Sequence, residues 1–172
     1  MHIPDDVRAR WVIRTNELTA NRGDLALPYA SASALALAGH APDAETVKAI
    51  EMLIRQAPDE VPLDVAPAKC RSLDSYFYDE YRRQTGARPR GPKVLEATLV
   101  STDEMVSYMA PNLKLAWRWP WGAVTDLESV KRGSRFSRVE LTSNDGEQYS
   151  LSLGTMAMDN LLTIYEWVSD EE

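Results

Sequence analysis

Arg138-Val-Glu-Leu-Thr-Ser-Asn-Asp-Gly-Glu-Gln-Tyr-Ser-Leu-Ser-Leu153 is the stretch on which the fold turns. Val139 and Leu141 alternate with Glu140 and Thr142. Asn144-Asp145-Gly146 follows as a turn, and then Tyr149, Leu151 and Leu153 alternate with Ser150 and Ser152. Successive side chains of a strand point to opposite faces, so each run is a strand with one apolar face. Two such runs around Asp-Gly predict a tight hairpin. Gly154 ends the alternation. Met158, Leu161, Leu162, Tyr165 and Val168 then fall on one stripe of a final helix, from about Met156 to Ser169.

Working outward, the same reading predicts strands at Val94 to Val100, at Glu104 to Met109 as a hairpin partner, and at Ala123 to Val130. Arg88-Pro89-Arg90-Gly91-Pro92 is a linker by composition. Before it the pattern is helical. A helix runs from Val7 to about Ala20, with Asp5 and Asp6 at the positive end of its dipole. A second covers Pro28 to Ala38, closed by Gly39. A third covers Ala44 to Gln56, with Val47, Ile50 and Ile54 on one side. Pro58, Pro62 and Pro67 break the chain, and a fourth helix is expected from about Ala68 to Gln84, because Leu73, Phe77 and Tyr81 share a face. The expected organisation is a helical region over residues 1–91 and an antiparallel β domain over 92–172, an α+β chain.

The chain has 172 residues, with 19 Lys and Arg against 26 Asp and Glu, a formal charge of −7. The acidity is uneven: residues 1–91 carry a net −1 and residues 92–172 a net −6. That balance argues against broad charge-driven binding to DNA or anionic lipid. A single cysteine, Cys70, excludes an internal disulfide, and two histidines, His2 and His40, leave too few ligands for an ordinary zinc site. The first residues, Met1-His2-Ile3-Pro4-Asp5-Asp6, do not form a secretory signal, and the most apolar stretch, Leu25 to Gly39, is too short to span a bilayer. The expectation is a cytoplasmic protein.

Several short antiparallel strands closed by one amphipathic C-terminal helix resemble a bacterial PH-like or GRAM-like domain. The resemblance covers roughly residues 93–170. It rests on Thr98-Leu-Val-Ser-Thr-Asp-Glu-Met-Val-Ser-Tyr108, which looks like the family's first hairpin. It rests also on Trp121-Gly-Ala-Val-Thr-Asp-Leu-Glu-Ser-Val130, on Val139-Glu-Leu-Thr-Ser-Asn-Asp-Gly146, and on the helix 156–169. It implies a small PH-like partial barrel with the helix plugging one end through Leu161, Tyr165 and Val168. It implies binding of phosphoinositides, peptides or protein surfaces more than catalysis. Phosphoinositide-binding members place their basic motif on the first hairpin, and Ser101-Thr102-Asp103-Glu104 is acidic, which tilts the expectation towards protein partners.

Four groups of residues are candidate sites. Lys131, Arg132, Arg135 and Arg138, around Gly133 and Ser134, mix charge and hydroxyl donors as phosphate recognition requires. The competing reading is a solvated hairpin tip. Trp117, Trp119 and Trp121 share a face in an extended chain and would form a partner-binding row on an edge strand. The competing reading is that they are core. The aromatic stretch around Tyr78 could contact a partner helix or pack on its own domain. Arg82, Arg83, Arg88, Arg90 and Lys93 could follow a nucleic-acid backbone, or be a solvated linker. Cys70 has no histidine partner in sequence, and no nucleophile elbow, P-loop, dinucleotide fingerprint or HExxH is present. No cofactor or metal is expected.

The sequence therefore points to a non-enzymatic adaptor or regulatory protein that binds another protein through a PH-like domain. The alternatives are a peripheral module for phosphoinositide or anionic lipid, and a regulatory protein touching nucleic acid.

Overall fold

The structure, a computed structural model, describes residues 3–20, 43–72, 95–110 and 115–169. Among the described residues two helices come first, α1 (Asp5–Ala20) and α2 (Ala44–Gln56). Seven strands follow: β1 (Pro62–Ser72), β2 (Leu95–Thr102), β3 (Met105–Ala110), β4 (Leu115–Pro120), β5 (Val124–Lys131), β6 (Phe136–Ser143) and β7 (Gln148–Gly154). A 3₁₀ turn, Trp121–Ala123, joins β4 to β5, and α3 (Thr155–Ser169) ends the described chain. The helix expected over residues 28–38 lies outside the described residues.

Local chemistry explains the boundaries. Asp43 caps α2: its carboxylate accepts from the Thr46 amide at 2.9 Å and the Thr46 hydroxyl at 3.0 Å. Those bonds hold its pKa below the usual carboxylate value. The buried face of α2 is Thr46, Ala49, Ile50 and Leu53, one position off the stripe the sequence suggests. Val7 and Trp11 of α1 are buried at a four-residue spacing, and Ile3, just before the helix, is buried with them. At the β6–β7 turn Gly146 has φ 84°, the left-handed region that glycine enters without penalty. The Ser143 hydroxyl accepts from the amides of Asp145 and Glu147 there.

One element differs in kind from its reading. Residues 68–72, expected to begin a helix, belong to β1, whose neighbours are β2 and β7. Residues 61–66 of that segment are buried on both faces, so the alternation that marks a half-exposed strand is absent. Leu73 to Gln84, the rest of that expected helix, lies outside the described residues, as does Tyr78.

All seven strands form one antiparallel sheet in the order β4-β3-β2-β1-β7-β6-β5. The sheet is open, with β4 and β5 as its edges, so the molecule is α+β with a C-terminal helix but not a closed barrel. β1 is the hinge of the arrangement. It pairs with β2 from Pro62 to Cys70 and with β7 only from Ala68 to Ser72. Trp117 of β4 and Tyr149 of β7 stand four strands apart in that order, yet their rings stack at 4.8 Å. The sheet is therefore bent over on itself.

Register separates the two faces. Ala66, Leu99, Tyr108 and Trp117 are successive cross-strand partners on the inner face. α3 covers that face with Met158, Leu161 and Ile164, all fully buried. On the outer face Val65, Val100, Ser107 and Arg118 are partners, and α2 packs over β1 and β2. The hairpin 98–108 joins β2 to β3. It is thus the second connection of the sheet, not the first, because β1 precedes it.

Candidate functional site

The three tryptophans do not form an exposed row. Trp117, Trp119 and Trp121 are all buried and belong to the central apolar cluster. Trp117 stacks on Tyr108 at 5.7 Å and on Tyr149 at 4.8 Å, Trp119 lies 5.0 Å from Tyr149, and Trp121 lies 6.2 Å from Tyr165. The Trp121 indole donates to the Thr102 carbonyl at 2.8 Å. Between them Arg118 turns to the other face. Its guanidinium holds both oxygens of buried Glu60 at 2.6 Å and the Ser107 hydroxyl at 3.0 Å. That alternation is the two-residue period of a strand, with the apolar half facing inward.

The basic loop between β5 and β6 divides into different roles. Arg132 is committed to Asp159 of α3, with bonds of 2.6 and 3.0 Å. Lys131, Arg135 and Arg138 are exposed and form no ion pair among the described residues. Lys131 and Arg138 are direct cross-strand partners, a placement that costs a sheet a few tenths of a kcal/mol or more.

The same loop is pinned to the start of α3. The Thr155 amide donates to the Arg135 carbonyl at 2.9 Å, and its hydroxyl donates to the Gly133 carbonyl at 2.8 Å. The hydroxyls of Thr155 and Ser137 lie 2.7 Å apart. A Cβ on Gly133 would fall 2.1 Å from the Phe136 carbonyl oxygen, so only glycine lets the loop close this tightly. The consequence is a fixed frame that presents Phe136 at 72% exposure and Met156 at 58%.

These two side chains flank an apolar groove of about 660 Å³, within the roughly 300–1,000 Å³ typical of ligand pockets. The topology creates it. β7 leaves β1 at Ala68 and turns at Gly154 into α3, so the sheet forks there. The facing pair Ala68 and Ala97 has too little volume to fill the fork. Leu153, Ala157 and Pro67 complete the apolar lining. Phe136 stands inside the basic loop singled out by the sequence, and a lone aromatic among cations was the available signal. Nothing local marked Ala68 and Ala97, since their role depends on long-range register.

The titratable groups offer little chemistry. Cys70 is buried, which pushes its thiol up to about 12, with the Trp117 indole beside it pulling the other way. It is a packing residue, because the thiolate is the nucleophile and is not formed at neutral pH. Asp64 is pushed up to about 6 by burial, opposed by hydrogen bonds from Asn160 and the Val65 amide. Asp103 accepts from the Val61 amide at 2.8 Å and from Arg14 at 3.1 Å, which ties α1 to the sheet. Among the described residues no group of three His, Cys, Asp or Glu is placed to hold a metal ion. Among them, too, no helix is long and apolar enough to cross a membrane. Arg82, Arg83, Arg88, Arg90 and Lys93 lie outside the described residues.

No protein-family model and no curated protein matches the chain. Among solved structures it is similar to the crystal structure of the C-terminal domain of an unknown protein from Leishmania infantum. The identity is 10% and the TM-score 0.48, over 70% of this chain and 97% of that one.

Proposed function

We propose that the chain is a non-enzymatic protein-interaction module of PH-like architecture, acting as an adaptor or regulator in the cytoplasm. The observation that carries this reading is the groove: two large apolar side chains held exposed by a rigid frame beside a cleft the core does not fill. A soluble chain that keeps apolar side chains together at its surface is marked for contact with a partner. The architecture is supported by a four-strand meander, β1 to β4, and a three-strand meander, β5 to β7, joined by the pairing of β1 with β7, and by α3 over the inner face. The tryptophans serve this module as its core and not as its contact surface. The acidic turn Ser101–Glu104, on the second connection, carries no weight for or against an anionic ligand.

A photo-reactive phenylalanine analogue placed at Met156, in cells expressing the full chain, tests the reading. It should yield covalent protein adducts of defined mass. The same group at Asp145, on the exposed turn at the far end of β6 and β7, should yield none. Adducts at neither position, or equal labelling at both, would contradict a dedicated protein-binding groove.

A further inference from the structure

Cations stand on both sides of the groove wall at Ser152, Lys69 of β1 on one side and Arg138 of β6 on the other. Ser152 lines the groove, and Arg138 is the cross-strand partner of Ser152, with Lys131 the next partner beyond. Arg135 immediately precedes Phe136 in the loop. In the other direction the row through Ser152 continues to Lys69, which lines the groove, and then to Glu96, so the acid position in this row lies on the β2 side; Glu128 and Glu140 form a separate row opposite one another, one step along the strands from Lys131 and Arg138. Asp159 is taken by Arg132. A chain of net −7 therefore keeps beside its exposed apolar cleft three cations that form no ion pair among the described residues, and sets two of them directly opposite each other.

Such a placement is unfavourable for the isolated sheet and favourable once an anion lies over it. From these positions we infer that the groove takes an extended, acidic segment of a partner protein. One bulky apolar side chain enters between Phe136 and Met156, and carboxylates two or three residues away meet Arg138 and Lys131. This inference rests on the groove being the protein-binding site.

The spacing follows from strand geometry. Adjacent strands lie about 4.8 Å apart, so Arg138 and Lys131 stand roughly 5 and 10 Å from the groove wall at Ser152. An extended peptide advances about 3.3 Å per residue, which puts its second and third residues past the anchor in reach. A free phosphate would satisfy the cations and leave the apolar cleft empty, whereas an acidic peptide with an apolar anchor satisfies both.

Selection of a random 12-residue peptide display library on the full chain tests the inference. The expected result is enrichment of sequences with one Leu, Ile, Phe or Trp and Asp or Glu two or three positions away. The selected peptide should bind at least tenfold more weakly to Phe136→Asp and to the double variant Arg135→Glu, Arg138→Glu. Its affinity should fall further between 50 and 300 mM salt, because surface charge pairs are screened. Peptides that depend on Phe136 but ignore both the charge reversal and salt would overturn the acidic partner and leave the groove reading standing. No enrichment, or peptides indifferent to both variants, would overturn both. Concentration-dependent dimerisation abolished by Phe136→Asp would assign the groove to a second copy. Binding only to vesicles containing phosphatidylserine, lost in the charge-reversed variant, would assign it to an anionic membrane. Either result overturns the inference.

Discussion

At the scale of single residues, Asp64 is the most informative side chain. It sits on the inner face of β1 opposite Ser101, where burial raises its pKa from 3.8 to about 6. The folded chain therefore holds a proton that the unfolded chain has released between those two values. Unfolding free energy from this group is highest below pH 3.8, falls as pH rises through the window, and stays low above pH 6. A rise of about 2 pH units corresponds to roughly 3 kcal/mol. Asp43, with its lowered pKa, acts in the opposite sense: its contribution is present above 3.8 and is lost as pH falls further. Asp64→Asn should consequently be more stable than the parent at pH 7.5 and nearly equal to it at pH 4. Urea unfolding at both values reads that difference. A variant less stable at pH 7.5 would mean that the hydrogen bonds with Asn160 and the Val65 amide matter more than the buried charge.

At the scale of elements, the tryptophan strand turns its indoles into the core while Phe136, at the end of the basic loop, is exposed. Trp119→Ala removes a buried indole packed at a tilt against Trp117 and Tyr149 and should destabilise the fold by about 3–5 kcal/mol. Phe136→Ala, at 72% exposure, should stay within about 0.5 kcal/mol of the parent. Chemical denaturation of the two variants side by side distinguishes a core aromatic from a surface one. Apolar periodicity and turn residues made α1, α2, α3, the strands β2, β3 and β5 and the β6–β7 hairpin legible, whereas residues 117–121 read only as an extended aromatic row and β4 was not placed. β1 stayed hidden, since a strand buried on both sides at residues 61–66 and interrupted by Pro67 shows neither alternation nor high β-propensity. The helical spacing of Leu73, Phe77 and Tyr81 just after it masks its end. The groove was legible only as Phe136 among cations. Its floor joins Ala68, Ala97 and Leu153, residues brought together by register and not by proximity in sequence.

At the scale of the whole molecule, a bent sheet with one shared central strand has an unavoidable fork where that strand changes neighbours. α3 closes the inner face but starts at the fork, so its first turn leaves space that small residues do not fill. The loop frame of Gly133, Ser137 and Thr155 then fixes Phe136 and Met156 over that space. The proposed partner site is this fork and not the tryptophan strand. Backbone amide chemical-shift mapping of the full chain, titrated with a peptide from the display selection, tests it most directly. The largest shifts are expected at Ala68, Ala97, Phe136, Leu153, Gly154 and Ala157, with smaller ones at Lys131 and Arg138 and none along Trp117 to Trp121. Shifts centred on Trp117–Trp121 or on the far hairpin at Asp145, with the fork unmoved, would contradict that site.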